Sequence, residues 1–343
     1  MSCGDTKPAL SKSSSSSSVQ STTGFNNVPV PLPDLVQGVL YPLGHQLKNQ
    51  ILLHRALIRS MLNQDVTSKQ QRSTPLLIIA GPSSISDVEE IKSCAEWIKS
   101  KDSFVLLRVN MSVIIQNDSY LSFEILKGLP YCRSLLRDLA RLCPIVGELS
   151  DTLTPQYFSD IYSLALISST YVESQLHRES VSGCSYSVGF GTQDSTLALD
   201  LTTYENKISA AMDAMYTASQ PHLFLSMTKI GQVAVTSTQG NNDTFLLLQL
   251  NALVSKDDIS KYIAKVYSHP NYQHSSPKIM LDVGKVNNSN YEDISSKLLT
   301  ILNSEVNKNV VGVMIDSGDN YTSKVMSENL TNADKLIDLL ESL

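Results

Sequence analysis

The stretch from Ile167 to Gln193 decides the predicted fold and reads ISSTYVESQLHRESVSGCSYSVGFGTQ. Short apolar runs at residues 165–167 and 186–190 predict two strands at its two ends. A strand that leads into many charged side chains and is soon followed by another strand is typical of the mouth of a barrel. The polar residues that join the two runs include Glu173, Gln175, His177, Arg178 and Glu179.

Strands and helices alternate on both sides of this stretch, which favours a parallel sheet with crossover helices. Two β-type runs, residues 223–227 and 233–236, lie too close together for a crossover and predict an inserted hairpin. The remaining eight runs predict an α/β fold, the TIM (β/α)8 barrel, with its site at the C-terminal strand ends. They cover residues 76–80, 104–108, 145–148, 165–167, 186–190, 245–250, 279–283 and 310–316.

Two segments of different character precede the predicted barrel domain of residues 76–343. Residues 1–27 contain a serine run and are expected to be a disordered tail. Residues 28–75 are expected to be an oligomerisation segment, whose helix at 45–63 would pack outside the barrel or against another subunit. Thr154 is expected to cap a helix that begins at Pro155. Further helices are predicted at 87–99, 129–142, 205–218, 256–267, 291–305 and 333–343.

Composition and charge exclude several classes of function. The 343 residues carry a net charge of -6 with charges of both signs mixed along the chain, so no nucleic-acid-binding surface is expected. No apolar run approaches the roughly 18–20 residues of a membrane span, so no membrane contact is expected. The N-terminus lacks the apolar core of a signal peptide, and the five cysteines show no CxxC spacing. These features predict a cytoplasmic protein.

The central stretch also resembles a known family. Glu173-Ser174-Gln175, His177-Arg178-Glu179 and Val188-Gly189-Phe190 resemble the signature of class I DAHP synthases. These barrel enzymes join phosphoenolpyruvate to erythrose 4-phosphate at the head of aromatic amino-acid synthesis. Other blocks resemble the family's motifs in the same order: Ile79-Ala80-Gly81-Pro82, Gly147-Glu148-Leu149, Thr228-Lys229, Thr238-Gln239-Gly240-Asn241, Met280-Leu281-Asp282 and Gly312-Val313-Met314.

The resemblance implies a divalent-metal site that this chain does not retain. The family's cysteine, histidine and glutamate ligands fall at Ser83, Lys285 and Asp316, and its aspartate has no clear counterpart. A neutral serine oxygen is a weak ligand beside a thiolate, and a lysine ammonium, with a reference pKa of about 10.4, has no lone pair to give. Only Asp316 remains a plausible ligand, so no metal cofactor is predicted.

Lys285 could compensate for the lost metal. It ends the seventh predicted barrel strand and Asp316 ends the eighth, and neighbouring strands lie about 4.8 Å apart. One hypothesis is that the Lys285 ammonium pairs with Asp316 near the position of the family's metal. The alternative is that Lys285 points to solvent.

The phosphoenolpyruvate site implied by the resemblance has lost most of its cations. Arg108 and Glu148 remain as catalytic-site remnants at the ends of the second and third strands. The family's other basic positions fall on uncharged residues: Thr170, Gly191, Gln249, Val113 and Ile115. A hydrogen bond to a charged group contributes roughly 1.5–3 kcal/mol, so the expected loss of affinity covers several decades.

A second pocket of the family, which binds an aromatic amino acid as feedback inhibitor, is better retained. The candidate lining residues are Asp151, Pro155, Gln156, Ser185, Phe224 and Ser226. Structural roles are the alternative for three of them, because Pro155 starts a helix, Asp151 suits a turn and Phe224 suits a core or an interface.

Three functions remain open from the sequence. The first is a non-catalytic DAHP synthase-like barrel that regulates or assembles with an active synthase, as a homo- or hetero-oligomer, and senses an aromatic amino acid. The second is a working 3-deoxy-7-phosphoheptulonate synthase, a transferase of the shikimate pathway, that tolerates the substitutions. The third is a barrel that has been reused for another small ligand.

Overall fold

Eight parallel strands close into a barrel, in which the first strand along the chain lies between the second and the last. This computed structural model describes residues 30–63, 75–83, 85, 87–111, 125–192, 201–250, 261, 264, 268, 270, 278–304, 309–318 and 328–342. The barrel strands are β1 (Leu77–Gly81), β2 (Val105–Arg108), β3 (Ile145–Glu148), β4 (Leu164–Ile167), β5 (Ser187–Gly191), β8 (Thr244–Gln249), β9 (Ile279–Lys285) and β10 (Val310–Asp316). The TIM barrel expected from the sequence is confirmed, with every strand within two residues of its predicted bounds.

The barrel interior is filled by alternate residues of the strands. Leu77 and Ile79 of β1, Leu164 and Leu166 of β4, and Phe245 of β8 all belong to one buried apolar cluster. Successive side chains of a strand point to opposite faces, so every second residue reaches this interior while the others face the surrounding helices. The apolar runs of the sequence are continuous because both faces of a parallel sheet are covered.

A helix closes the N-terminal end of the barrel. Helix α1 (His45–Leu62) buries Ile58 and Leu62 in the interior cluster. Its Arg59 pairs with Asp243, which directly precedes β8, at 2.5 Å. This helix was expected to pack outside the barrel or against another subunit, and the apolar side chains of its last turns cover the open end of the strand layer.

The other helices agree with the prediction except in the central stretch. They are α2 (Val88–Lys99), α3 (Ile125–Ala140), α4 (Pro155–Phe158), α5 (Gln175–Ser182), α6 (Leu201–Ser219), α7 (Tyr291–Leu302) and α8 (Glu328–Glu341). Helix α5 was not predicted, because only two of its residues, Leu176 and Val181, are aliphatic. Within the described ranges, no helix combines the length and apolar character that crossing a bilayer requires. The predicted tail lies outside the described residues, and most of the helix predicted at 256–267 does too.

The start of α4 differs from its prediction. Pro155 is the first helical residue as expected, but the Thr154 side chain accepts no capping hydrogen bond. The Asp151 carboxylate instead accepts the backbone N–H groups of Leu153 and Thr154 at 2.7 and 2.6 Å. Asp151 therefore organises the turn before the helix, as the structural alternative for this residue proposed.

The inserted hairpin is confirmed as an antiparallel pair outside the barrel, formed by β6 (Leu223–Met227) and β7 (Val233–Ser237). Its two faces differ in exposure. Leu223, Leu225, Val233 and Val235 point outward and are 68–76% exposed. Phe224 and its neighbours on the other face are half-buried against the barrel.

A buried arginine joins the N-terminal segment to the barrel. That segment contains a short helical turn, Pro33–Leu35, followed by a π-helical turn, Val36–Leu40. Arg133 of α3 has an exposed fraction of 0% and makes two hydrogen bonds to the Asp160 carboxylate, at 2.7 and 2.8 Å. It also donates to the carbonyl oxygens of Tyr41 and Tyr157, at 3.0 and 2.7 Å.

Candidate functional site

A cavity of about 460 Å³ lies at the mouth of the barrel, where the C-terminal ends of the strands meet. This is the end at which barrel enzymes place their sites. The described residues that line it are Ser83, Arg108, Asn110, Glu148, Ser150, Leu166, Ile167, Ser168, Ser169, Thr170, Tyr171, Gly191, Thr192, Leu247, Gln249, Asp282 and Met314. We refer to it as the mouth cavity.

Arg108 and Glu148 are the two charged remnants predicted from the sequence, and they lie side by side in the mouth cavity. The Arg108 Nη2 atom is 3.9 Å from Glu148 Oε2, which is too long for a hydrogen bond. Arg108 Nε and Glu148 Oε2 are buried and have no hydrogen-bond partner among the residues that the structure describes. Burial raises the pKa of Glu148, and the Arg108 charge opposes part of that rise.

Gly81 supports the position of Arg108. It ends β1 with φ +147°, and a Cβ atom at this position would lie 2.9 Å from the Arg108 carbonyl oxygen. Only glycine allows this backbone conformation together with so close an approach.

Asp282 adds a second carboxylate to the mouth cavity. One of its oxygens accepts the Gly284 backbone N–H at 2.9 Å. Burial raises the pKa of Asp282, while the Arg108 charge and the Gly284 hydrogen bond lower it. Arg108 is the only basic side chain among the described residues that line this cavity.

The positions of the family's metal ligands do not form a metal site. Ser83 and Lys285 are exposed, and one oxygen of Asp316 accepts the Gly318 backbone N–H at 2.8 Å. Among the described residues there is no group of three or more histidine, cysteine, aspartate or glutamate side chains that could hold a metal ion. A hydroxyl, an ammonium and one carboxylate are not the donors that a transition metal requires.

The predicted pairing of Lys285 with Asp316 is not formed. The two residues are partners in the register of β9 and β10. Lys285 is nevertheless exposed, and the ion pairs made by described side chains do not include this one. The alternative in which Lys285 points to solvent fits its exposure.

The structure brings the predicted substrate-site positions together. Thr170, Gly191 and Gln249 all line the mouth cavity with Arg108 and Glu148. None of these three side chains carries a charge, so Arg108 is the one cation among the described positions predicted for the substrate site. Val113 and Ile115 lie outside the described residues.

A second cavity, of about 380 Å³, lies between the barrel and the inner face of the hairpin. All six residues predicted for an effector pocket line it: Asp151, Pro155, Gln156, Ser185, Phe224 and Ser226. These six residues are spread over 76 positions of the chain, from 151 to 226, and the fold brings them to one cavity. We refer to it as the hairpin cavity.

Two cations in the hairpin cavity were not predicted as lining residues. Arg55 of α1 donates to the Ser185 hydroxyl at 2.9 Å, and its guanidinium lies over the Tyr186 ring, 5.0 Å from the centroid. Lys229 donates to the Gln156 carbonyl oxygen. Burial lowers the pKa of Lys229, and the Asp160 charge opposes this effect. Arg55 gave no signal in the sequence, because it reaches the cavity through the packing of α1 below the barrel.

A thin wall separates the two cavities. Glu148, the last residue of β3, and Ser150 line the mouth cavity, while Leu149 and Asp151 line the hairpin cavity. The next loop adds an aromatic contact across the same wall. Tyr171 of the mouth cavity stacks on His177 of the hairpin cavity with ring centroids 4.9 Å apart.

Comparisons with known proteins point to one family. The sequence model of the "DAHP synthetase I family" matches residues 61–332. The phenylalanine-inhibited phospho-2-dehydro-3-deoxyheptonate aldolase of Saccharomyces cerevisiae is 30% identical over 316 residues, which cover 85% of this chain and 80% of that protein. The Phe-sensitive phospho-2-dehydro-3-deoxyheptonate aldolase of Escherichia coli K12 is 31% identical over 267 residues, 71% of each chain.

A solved structure extends the similarity to three dimensions. The phospho-2-dehydro-3-deoxyheptonate aldolase of Francisella tularensis SCHU S4 superposes with a TM-score of 0.70 at 26% identity. The superposition covers 93% of this chain and 97% of that one.

Proposed function

The chain belongs to the DAHP synthetase I family, and on this premise we propose that it is a non-catalytic member that regulates or assembles with an active synthase in the cytoplasm. The hairpin cavity would bind an aromatic amino acid as effector. The observation that carries the proposal is the contrast between the two cavities. The hairpin cavity contains all six predicted lining residues, whereas the mouth cavity has one cation among its described lining residues.

The presence of only one cation among the described lining residues argues against phosphoenolpyruvate as a ligand of the mouth cavity. Thr170, Gly191 and Gln249 offer no positive charge to a phosphate or a carboxylate. Three hydrogen bonds to charged groups contribute roughly 5–9 kcal/mol in total, which corresponds to about three to six decades of affinity. A substrate held so weakly would leave the mouth cavity empty at ordinary metabolite concentrations.

The hairpin cavity has the chemistry for an amino-acid zwitterion with an aromatic side chain. Arg55 and Lys229 can attract a carboxylate, and Asp151 and Asp160 can attract an ammonium group. Phe224 offers a ring against which an aromatic side chain can pack. The name of the Saccharomyces relative states that phenylalanine inhibits that protein, which supports phenylalanine as the first compound to test.

The outer face of the hairpin supports the assembly role. Leu223, Leu225, Val233 and Val235 form a cluster of exposed aliphatic side chains on one face of a two-stranded sheet. Exposed apolar patches of this kind often mark protein interfaces. The proposed occupant of this face is an active synthase of the family or a second copy of this chain.

An active synthase is the second candidate function, favoured by the names of relatives that match most of the chain. The deciding experiment measures phosphoenolpyruvate consumption by the purified protein with erythrose 4-phosphate and added Mn²⁺ or Co²⁺. We expect no consumption above that of a blank without protein. Turnover that depends on both substrates and on the metal would exclude the non-catalytic proposal and leave the second candidate.

The Phe224→Ala variant tests the effector site. Titration calorimetry of the unmodified chain should show saturable binding of phenylalanine, tyrosine or tryptophan, and Phe224→Ala should weaken it by about tenfold or more, since the ring contact is lost. The control is Leu225→Ala, which removes the neighbouring side chain on the opposite face of β6. Equal losses in both variants, or no binding by the unmodified chain, would contradict the assignment of this cavity.

A further inference from the structure

The mouth cavity is lined mainly by neutral hydrogen-bonding groups. Nine of the seventeen described lining residues carry a hydroxyl or an amide side chain. A cavity of about 460 Å³ falls within the range of roughly 300–1,000 Å³ in which proteins bind small molecules. The lining therefore suits a small ligand that is rich in hydrogen-bonding groups.

The charges in the mouth cavity disfavour an anionic ligand. Among the described lining residues, Glu148 and Asp282 contribute two carboxyl groups, against the guanidinium of Arg108. Burial raises the pKa of both carboxyl groups, and the same desolvation would penalise the charged form of an anionic ligand beside them. A phosphate group would add up to two further negative charges at the same place and would be repelled.

One donor and one acceptor in the mouth cavity lack partners and lie close together. Arg108 Nε can donate a hydrogen bond and Glu148 Oε2 can accept one, and neither has a partner in the described part of the chain. Nη2 of the same guanidinium lies 3.9 Å from Glu148 Oε2. A hydroxyl group both donates and accepts, so adjacent hydroxyls of one ligand can satisfy both atoms.

We propose that the mouth cavity binds a small uncharged polyhydroxy compound, a sugar or a sugar alcohol, through Arg108 and Glu148. One ligand hydroxyl accepts from Arg108 Nε and another donates to Glu148 Oε2. The hydroxyl and amide side chains of the wall bind the remaining hydroxyls. This ligand lies in the cavity for which the family resemblance implies phosphoenolpyruvate, and it differs from phosphoenolpyruvate in charge.

Matched pairs of ligands test the proposal directly. The full chain is titrated calorimetrically with erythritol, D-erythrose, D-ribose and D-glucose, and with erythrose 4-phosphate, ribose 5-phosphate and glucose 6-phosphate. We expect at least one neutral compound to bind in a 1:1 ratio, and each available monophosphate to bind about tenfold more weakly or worse than its neutral parent. Binding of no neutral compound, or a preference for a monophosphate, would overturn the proposal.

Substitutions locate the site and test the role of charge. Glu148→Leu should weaken binding of the neutral compound by about tenfold, since the acceptor is lost. Gln249→Arg should shift the preference towards the monophosphate by about tenfold, since a second guanidinium then faces the cavity. Phe224→Ala, in the hairpin cavity, is the control and should leave both affinities unchanged. An unchanged affinity in Glu148→Leu would place the compound elsewhere.

Failure of this inference and failure of the proposed function give different results. A chain that neither turns over the two substrates nor binds any neutral compound would overturn this inference and leave the proposed function in place. A chain that turns over both substrates would overturn the proposed function and, through its binding of phosphorylated ligands, this inference as well. If Glu148→Leu does not fold, the ligand pairs on the unmodified chain and the Gln249→Arg variant still decide the question.

Discussion

The double variant Ser83→Cys, Lys285→His should bind one Co²⁺ ion per chain at least about 100-fold more tightly than the unmodified protein. The strand register supports this result. Gly81, the last residue of β1, pairs with Asp316 of β10, and Asp316 pairs with Lys285 of β9. Ser83 follows Gly81 by two residues, so Ser83, Asp316 and Lys285 lie at or just beyond the ends of neighbouring strands. The double variant would present a thiolate, an imidazole and a carboxylate there, and would remove an ammonium that repels cations.

Cobalt absorption and calorimetry provide the measurement. A thiolate-to-cobalt charge-transfer band in the double variant would show that the new cysteine is a ligand. The single variants are the controls. Lys285→His should bind the ion weakly, because a neutral serine oxygen remains at position 83. Stoichiometric, tight metal binding by that single variant or by the unmodified chain would contradict the donor-set argument.

Arg133→Ala should lower the free energy of unfolding by about 3–5 kcal/mol. The Arg133 side chain has an exposed fraction of 0% and makes two hydrogen bonds to Asp160 and two to backbone carbonyl oxygens. Alanine would leave the carboxylate without its partner and both carbonyl groups without a donor. The loss should appear as a lower midpoint of urea unfolding with an unchanged slope.

Arg141→Ala is the matched control for the same helix region. Arg141 also pairs with an aspartate, Asp138, at 3.0 Å, but its side chain is 58% exposed. A solvent-exposed pair contributes about 0–1 kcal/mol, so this substitution should hardly change stability. Similar losses in the two variants would show that the Arg133 contacts do not stabilise the chain more than a surface pair does.

The barrel could be predicted because its strands are continuous apolar runs separated by helix-length segments. Strands such as β1 and β10 can be recognised in the sequence because both of their faces are buried. Burial on both faces excludes most polar residues from these strands. Helix α5 was missed for the opposite reason. Its sequence QLHRESVS is mostly polar and eight residues long, so it gives little periodic signal.

The site could be predicted only where a residue belongs to a motif. The six predicted lining residues of the hairpin cavity follow from the resemblance to a family, and so do Arg108 and Glu148. Arg55 comes from a helix that precedes the barrel by many residues, and only tertiary packing brings its guanidinium to the cavity. The proposed contact of Lys285 with Asp316 failed although the register was right, because strand pairing fixes backbones and leaves a long exposed side chain free to turn outward.

The two faces of the hairpin have different proposed roles, association on the outer face and ligand binding on the inner face. Leu223 and Leu225 of β6 meet solvent, whereas Phe224 and Ser226 meet the cavity. Substitutions at Leu223 or Leu225 can therefore alter association through the outer face while Phe224 and Ser226 stay unchanged. A slip of one residue between β6 and β7 would exchange these roles and put aliphatic groups into the cavity. Ligand preference and association can therefore diversify separately among descendants of this chain, provided that the pairing of the two strands is preserved.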